Sequence, residues 1–368
     1  MAFASATASG PDWRTAAGEV VARLGAKSDG HRIGFIYTTD ILTEDLDPIL
    51  AFLRAETGVQ DWTGTTGFGI CGDGESHFDR PAIAVMTCDL AEAEYRLFCP
   101  SGEKAAMEER GWLGAFAPPL IVAHGDPASE DLLEAMSMIG ETTGAFLVGG
   151  LTASRGRCRQ ITKRMISGGL SGIILAPEIE AVTGLTQGCT PVGPAYLVTE
   201  SVQHVLVTLD SRPALDVLKE DIGDLLARDL HKLGGLIHAA LPIRGSDTGD
   251  YVVRNLMGLD VERGLVAIGE AVEPGDRVMF VRRDPAGAEQ DMYRMLENLK
   301  ARTEGRRPRG ALYFSCVARG PGMFAEADFE TTAIREVFGE MPLAGFYGNG
   351  EISNNRLYGY TGVLTLLM

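Results

Sequence analysis

The stretch Leu343–Ile352, L-A-G-F-Y-G-N-G-E-I, decides how this chain is built, because it is the third copy of a recurring element. In each copy a short apolar strand runs into glycine. The earlier copies read A-F-L-V-G-G-L-T-A-S at 145–154 and G-T-T-G-F-G-I-C-G-D-G at 64–74. Glycine at these points permits a backbone turn that a side chain would block.

Each copy follows a strand and a helix and precedes a closing strand. The leading strands are apolar runs that stop at polar or glycine residues, at 32–40, 119–127 and 310–320. The helices show apolar residues at helical spacing, at 46–57, 130–140 and 330–339. Ser129 is the predicted N-terminal cap of the second helix, and Gly339 the C-terminal cap of the third. The closing strands are expected at 81–88, 168–176 and 360–367.

These patterns predict an α/β (α+β) protein with mixed sheets. The sheets arise from repeated strand–helix–strand–strand units, with the helices packed outside and the chain arranged as two related halves.

Composition excludes several classes of partner. The 368 residues include 33 Lys and Arg against 50 Asp and Glu, a formal charge of −17. Nucleic acid and anionic membranes attract cationic surfaces, so neither is expected as a partner. Six cysteines are scattered without C-x-x-C spacing, and the N-terminus lacks the features of a signal peptide. We therefore expect a cytoplasmic protein in a reducing compartment.

Common catalytic and cofactor motifs do not fit. G-F-G-I-C-G at 67–72 matches the dinucleotide fingerprint as text, but the residues that follow cannot open the helix that such a site needs. The sequence has no phosphate-binding loop, no H-E-x-x-H and no histidine–carboxylate pair at metal-ligand spacing. No metal site is predicted.

Taken in order, several fragments resemble the FIST proteins over almost the whole chain, from about residue 30 to 368. The fragments that carry the resemblance are R-I-G-F-I-Y-T-T, L-V-G-G-L-T-A-S, G-L-S-G-I-I-L-A-P, V-T-G-L-T-Q-G-C-T-P-V-G-P, Y-V-V-R-N-L-M-G-L-D, F-S-C-V-A-R-G and P-L-A-G-F-Y-G-N-G-E-I. The resemblance implies a FIST N domain at 30–205 and a FIST C domain at 206–368, after an N-terminal extension at 1–29.

The resemblance also implies a function. FIST proteins are cytoplasmic sensory modules of bacterial signal transduction, and small ligands such as amino acids have been proposed for them. A related branch is similar to haem-binding nitric-oxide sensors that act on kinases. We read this sequence as the sensor module alone, so we expect its output to pass through a separate partner, such as a kinase.

A site for a small polar ligand is expected around the glycine-rich turns. Arg254 or Arg319 would clamp a carboxylate, while Asn349 and Glu351 would take an ammonium group. The expected ligand-binding residues are Arg254, Cys316, Arg319, Gly345, Phe346, Tyr347, Gly348, Asn349, Glu351, Gly149, Gly150 and Thr152. No cofactor is required by this hypothesis.

Three alternatives stay open. In the first, the protein binds haem, with His124, His204 or Cys316 as the iron ligand. In the second, Cys316 is the nucleophile of an enzyme, activated by Arg319. In the third, the acidic surface serves as an interaction scaffold and no ligand binds.

Overall fold

The computed structural model describes residues 2–25, 29–99, 119–227, 233–243 and 249–368. The chain divides into two compact units. The larger unit contains Met1–Thr186 and Asp291–Met368, and the smaller unit contains Gln187–Gln290. The larger unit therefore joins two separate segments of the chain.

The described helices are α1 (Trp13–Leu24), α2 (Leu46–Thr57), α3 (Leu132–Thr143), α4 (Ala214–Ala227), α5 (Pro285–Arg302) and α6 (Phe329–Phe338). Of these, α2, α3 and α6 lie at the three segments predicted above. Gly339 ends α6 with a positive φ of 75°, and its backbone N–H donates a hydrogen bond to the Arg335 carbonyl, which confirms the predicted cap. The prediction for Ser129 is wrong. Residue Asp131 precedes α3, and the Ser129 hydroxyl instead accepts a hydrogen bond from the Gly169 amide at 2.6 Å.

The strands are short and mostly buried. In the first half of the chain they are β1 (Phe3–Ser9), β2 (Ile33–Thr39), β3 (Asp61–Gly67), β4 (Gly69–Gly72), β5 (Glu75–Phe78), β6 (Ala82–Cys88), β7 (Tyr95–Phe98), β8 (Leu120–Gly125), β9 (Phe146–Leu151), β10 (Gln160–Thr162), β11 (Arg164–Ile166), β12 (Leu170–Leu175) and β13 (Ala181–Gln187). In the second half they are β14 (Cys189–Pro191), β15 (Tyr196–Val202), β16 (Val205–Leu209), β17 (Arg212–Pro213), β18 (Ile237–Pro242), β19 (Tyr251–Asp260), β20 (Leu265–Ile268), β21 (Arg277–Arg283), β22 (Gly310–Cys316), β23 (Leu343–Gly348), β24 (Glu351–Ser353), β25 (Arg356–Tyr358) and β26 (Thr361–Leu367).

Three sheets of one design form the larger unit. Sheet one has the order β1-β6-β2-β3-β10-β11, sheet two β7-β12-β8-β9-β24-β25, and sheet three β13-β26-β22-β23-β4-β5. In each sheet a helix joins a parallel strand pair, namely β2–β3 through α2, β8–β9 through α3 and β22–β23 through α6. We call these three strand–helix–strand units, with their closing strands β6, β12 and β26, the first, second and third copies. The fold is α+β with mixed sheets, as predicted.

The copies exchange hairpins in a cycle. The hairpin of the first copy, β4–β5, extends sheet three, since β4 pairs with β23. The hairpin of the second copy extends sheet one through β10 and β3, and that of the third extends sheet two through β24 and β9. The repeats therefore number three within one unit instead of forming two related halves, because each copy completes its neighbour's sheet.

A close backbone approach fixes the same register in all three copies. One glycine of the second strand faces the first strand, and a Cβ there would lie within 2 Å of a carbonyl oxygen. The pairs are Gly64 and Ile36 (1.7 Å), Gly149 and Ala123 (1.9 Å), and Gly345 and Tyr313 (1.8 Å). This explains physically why the recurring sequence element contains glycine at that place.

The helices lie outside and the strands inside, as predicted. The central core gathers buried residues from all three sheets, such as Phe35, Val122 and Leu312. Outer clusters then pack α1 and α2 on sheet one, α3 on sheet two, and α5 and α6 on sheet three. Residues 3–24, expected to precede the first domain, supply the edge strand β1 and helix α1 of this unit.

The smaller unit has a different design. Its strands pair antiparallel in the order β14-β21-β15-β16-β20-β19-β18, and β18 also pairs with β21, so the path closes into a barrel. Residues of α4, among them Leu215 and Leu218, share its core. Among the described helices of the chain, none combines the length and apolar character of a transmembrane span.

Candidate functional site

The three exchanged hairpins differ in the side chain at one equivalent position. Ile70 lies opposite Phe346, Gln160 opposite Thr65, and Glu351 opposite Gly150. All three hairpin residues are fully buried. The fold accepts an apolar side chain, an amide or an acid at this place, so the architecture itself does not require the Glu351 carboxyl.

The loop after the first strand differs between copies in the same way. The third copy buries Arg319 completely, whereas the first buries Leu42 and the second half-buries Ser129. At these two equivalent positions, a guanidinium and a carboxyl occur only in the third copy. Burying charge is unfavourable unless it is paired, so a cluster that the fold does not need points to function.

Arg319 makes one buried ion pair. Its Nε lies 2.7 Å from Oε1 of Glu330, and neither side chain is exposed. Glu330 comes from the first turn of α6, where its carboxylate also accepts hydrogen bonds from the hydroxyls of Tyr313 (2.6 Å) and Ser315 (3.0 Å). The Glu330 carboxylate is therefore well satisfied.

The other end of the Arg319 guanidinium is not satisfied. Nη1 and Nη2 are buried and have no hydrogen-bond partner among the described residues. The Phe324 ring lies 5.2 Å from the guanidinium carbon, so one face contacts an aromatic ring. Burial alone would lower the pKa of Arg319, but the Glu330 carboxylate raises it above its ordinary value and keeps the guanidinium charged. Unmade hydrogen bonds on a buried group cost about 1–3 kcal/mol each.

Glu351 is a second incompletely satisfied group. Its Oε2 accepts hydrogen bonds from the amide (3.1 Å) and the hydroxyl (2.7 Å) of Thr361. Its Oε1 has no nitrogen or oxygen partner among the described residues, and the adjacent group is the Cys316 thiol, a weak donor. Burial raises the pKa of Glu351 to about 8, although the Thr361 bonds and the charge of Arg319 oppose the rise.

Cys316 lies at the end of β22, next to Glu351. Burial and the Glu351 carboxyl raise the pKa of this thiol well above its ordinary range. The thiolate is the nucleophilic form, so this environment makes Cys316 a poor nucleophile.

Glycines of β23 and β9 serve close strand packing. A Cβ on Gly348 would lie 2.5 Å from the Leu151 carbonyl oxygen, and a Cβ on Gly150 would lie 3.1 Å from the Phe346 ring. The Asn349 amide donates to Leu151 at 3.0 Å, and the Asn349 side chain is exposed. The glycine-rich turn is thus held in backbone pairing and does not present a row of open amides.

Phe346 and Tyr347 point to opposite faces of β23, as strand alternation requires. Phe346 belongs to the central core, and Tyr347 packs under α6 with its ring 4.6 Å from that of Phe78. On the neighbouring β9, Gly149 and Gly150 face β24, and the hydroxyl of the buried Thr152 lies 2.6 Å from that of Thr65. Among the predicted residues, the structure brings Gly150, Cys316 and Arg319 close to Glu351.

Two predicted residues lie in the smaller unit. Arg254, on β19, donates from Nε to Glu270 at 2.6 Å and from Nη1 to the Val253 carbonyl at 3.1 Å. His204 lies in the exposed turn between β15 and β16. The guanidinium of Arg254 thus already donates hydrogen bonds through Nε and Nη1, whereas Nη1 and Nη2 of Arg319 donate none to the described residues.

His124 lies at the centre of the three sheets, in register with Tyr37 and Phe314 of the other copies. Its Nε2 lies 3.3 Å from the Tyr37 hydroxyl, and its Nδ1 has no partner among the described residues. The rings of Tyr37, Phe346 and Phe314 surround it at 5.6–6.5 Å between centroids. These three rings belong to the central core, so the imidazole of His124 is enclosed by core aromatic side chains. Burial lowers the pKa of His124 to about 3, so the imidazole is neutral.

Within the described ranges, no cluster of three or more His, Cys, Asp or Glu residues is arranged to hold a metal ion.

Sequence reasoning missed Glu330, Tyr313, Ser315 and Thr361. A signal for Glu330 was present, because Glu330 shares one helical face with the buried residues Ala333 and Ile334. An acidic residue on the apolar stripe of a helix indicates a buried partner. The remaining three are ordinary strand residues whose role depends on tertiary contacts.

Comparisons with known proteins agree with this architecture. The FIST N domain model matches residues 32–212, and the FIST C domain model matches 214–354. An uncharacterized protein of Mycobacterium tuberculosis is 30% identical over 380 residues, covering 97% of each chain. An uncharacterized protein of Mycobacterium bovis is 35% identical over 240 residues, covering 61% of each chain. The chain therefore belongs to the FIST family, whose domains are sensory domains.

Proposed function

We propose that this FIST protein senses one small polar ligand per chain, bound at Arg319 and Glu351 in the larger unit. The observation that carries the proposal is the fully buried guanidinium of Arg319, whose Nη1 and Nη2 have no partner among the described residues. Two adjacent donors in one plane match a carboxylate, which accepts them in bidentate fashion.

Glu351 would bind the other end of the ligand. Its Oε1 is free of nitrogen and oxygen donors and can accept a bond from an ammonium group. A ligand that carries both a carboxylate and an ammonium group would satisfy both groups, which makes amino acids the simplest class.

The ion pair with Glu330 connects the site to helix α6. Glu330 belongs to the first turn of α6, so a carboxylate that arrives at Arg319 competes electrostatically with the anchor of that helix. We propose that the resulting change is read by a separate protein, such as a kinase. A cytoplasmic location is part of the proposal, supported by six cysteines scattered along the chain without C-x-x-C spacing.

A haem-dependent function would need a different arrangement. Ligation by His124 would require Tyr37, Phe314 and Phe346 to move away from the imidazole. An absorption spectrum of protein expressed with haem precursor tests this alternative, since a stoichiometric Soret band would favour it. Catalysis by Cys316 has less support, because burial keeps the thiol protonated.

The test of the proposal is a thermal-shift screen of the standard amino acids on the wild type and on Arg319→Lys. Lys keeps a positive charge for Glu330 but lacks the planar fork. We expect one class of amino acid to raise the melting temperature of the wild type by mass action, and to have no effect on Arg319→Lys.

A further inference from the structure

Glu351 has fewer hydrogen-bond donors than a fully buried carboxylate needs. Oε2 accepts both of the bonds that Thr361 offers, while Oε1 faces no nitrogen or oxygen donor among the described residues. An ionised carboxylate presents about four acceptor sites, and a fully buried one needs most of them filled. A protonated carboxyl needs fewer donors and can itself donate from Oε1.

The groups that face Glu351 do not supply a compensating cation. They are Thr361 on β26, Tyr358 on β25, Gly150 on β9, Cys316 on β22 and Arg319 in the following loop. Arg319 is the charged member of this set, and its charge is already paired with Glu330. Arg319 forms no salt bridge to Glu351.

The charges of the site therefore balance when Glu351 is protonated. Arg319 and Glu330 cancel each other, and a neutral Glu351 adds nothing. Because the fully buried Gln160 occupies the equivalent register of the second copy, a neutral polar side chain is known to suit this position.

We propose, on the basis of the proposed function above, that Glu351 is protonated in the ligand-free protein and loses this proton when the ammonium end of the ligand binds. The Oε1–H bond breaks, the proton passes to solvent, and the resulting carboxylate accepts a charge-assisted hydrogen bond from the ligand's N–H. The ligand keeps all its own protons, so each binding event releases one proton.

Proton release makes the affinity depend on pH. Below the pKa of Glu351, binding must displace a proton, so affinity falls by about tenfold per pH unit as the pH decreases. Above about pH 8 the proton is already absent and the dependence ends. A carboxylic acid without an amine does not require Glu351 to lose its proton, so its affinity does not rise with pH in this way.

The first arm of the test needs no ligand. Infrared spectra at about pH 6 are recorded for the wild type and Glu351→Gln, and the difference is compared with that for Glu340→Gln, an exposed carboxyl. We expect the difference for Glu351 to contain the C=O band of a protonated carboxyl. A carboxylate band instead would overturn the inference, whatever the protein binds.

The second arm uses calorimetry with the amino acid that gives the largest thermal shift. Titrations of the wild type at about pH 6.5, in buffers of different ionisation enthalpy, count the protons exchanged without any variant. We expect about one proton released per ligand, and none for the matched carboxylic acid that lacks the amine.

The outcomes separate the two claims. Amino acid binding with no proton released overturns the inference and leaves the proposed function standing. If none of the twenty amino acids binds, the zwitterionic ligand of the proposed function is wrong, and so is the proton-release step.

Discussion

Glu351 and Ile70 occupy the same place in two copies of one structural unit. Glu351 lies opposite Gly150 on β9, Ile70 lies opposite Phe346 on β23, and both side chains are fully buried. Equivalent positions of the repeated unit thus hold an acidic side chain in one copy and an apolar side chain in another. The apolar copy shows that this position of the repeated unit does not always need an acid.

Replacing Glu351 is therefore expected to preserve stability while removing ligand binding. Glu351→Gln keeps an oxygen for the Thr361 donors and introduces the residue found at the second copy's register. We expect the free energy of unfolding to change by less than about 1 kcal/mol in urea denaturation.

Gln160→Glu is the matched control. It removes the amide that donates to the Gly169 carbonyl at 3.1 Å and places a second acceptor there. A loss of about 2 kcal/mol is expected. A loss of several kcal/mol from Glu351→Gln would instead show that the carboxyl is structural.

Removing one partner of the buried ion pair should destabilise the protein, in contrast to Glu351→Gln. Arg319→Met leaves the Glu330 carboxylate buried without its cation, which costs about 3–5 kcal/mol. The double variant Arg319→Met/Glu330→Gln should regain most of this loss, since no uncompensated charge remains. If the double variant unfolds at the same urea concentration as Arg319→Met, the pair does not behave as a coupled unit.

Stability should fall as the medium becomes acidic, because His124 is buried in its neutral form. Burial lowers the pKa of His124 from 6.5 to about 3. Between these two values, His124 binds a proton in the unfolded state and not in the folded state. The contribution of the neutral His124 to stability is fully present above about pH 6.5 and decreases below it, by about 2 kcal/mol at about pH 5.

His124→Gln provides the comparison for this effect, because the amide oxygen can still accept from Tyr37. The variant should lose less stability than the wild type between about pH 6.5 and 5, measured by urea unfolding at each pH. Parallel pH profiles for the two proteins would rule out His124 as the source.

Cys316 should be unreactive in the folded protein. Its thiol is almost fully buried and burial raises its pKa, whereas Cys99 is exposed. Mass spectrometry after labelling with iodoacetamide at neutral pH should find Cys99 modified and Cys316 modified only after unfolding. Modification of Cys316 at a rate above that of free cysteine would restore the enzyme hypothesis.

The sequence predicted the repeated unit well, since strand and helix periods are local properties. The 46–57 helix and the Gly339 cap appear in the structure at the expected residues. The cyclic exchange of hairpins could not be predicted, because β4, β10 and β24 pair with strands of other copies, and strand pairing over such distances leaves no local pattern.

The site was predicted in part for the same reason. Arg319 and Glu351 stood out as charges beside glycine-rich turns, and the structure places both in one buried cluster. Arg254 stood out equally in the sequence, yet its fork is engaged by Glu270 and the Val253 carbonyl. Whether an arginine has free donors depends on tertiary neighbours, which the sequence does not reveal.

The most direct test of the ligand site is the shift in melting temperature that amino acids cause in the wild type and in Arg319→Lys, measured side by side. Both proteins should fold, since Lys retains a charge for Glu330. We predict that at least one class of amino acid raises the melting temperature of the wild type and leaves that of Arg319→Lys unchanged. Equal shifts in both proteins, or no shift in the wild type, would contradict a carboxylate held by the Nη atoms of Arg319.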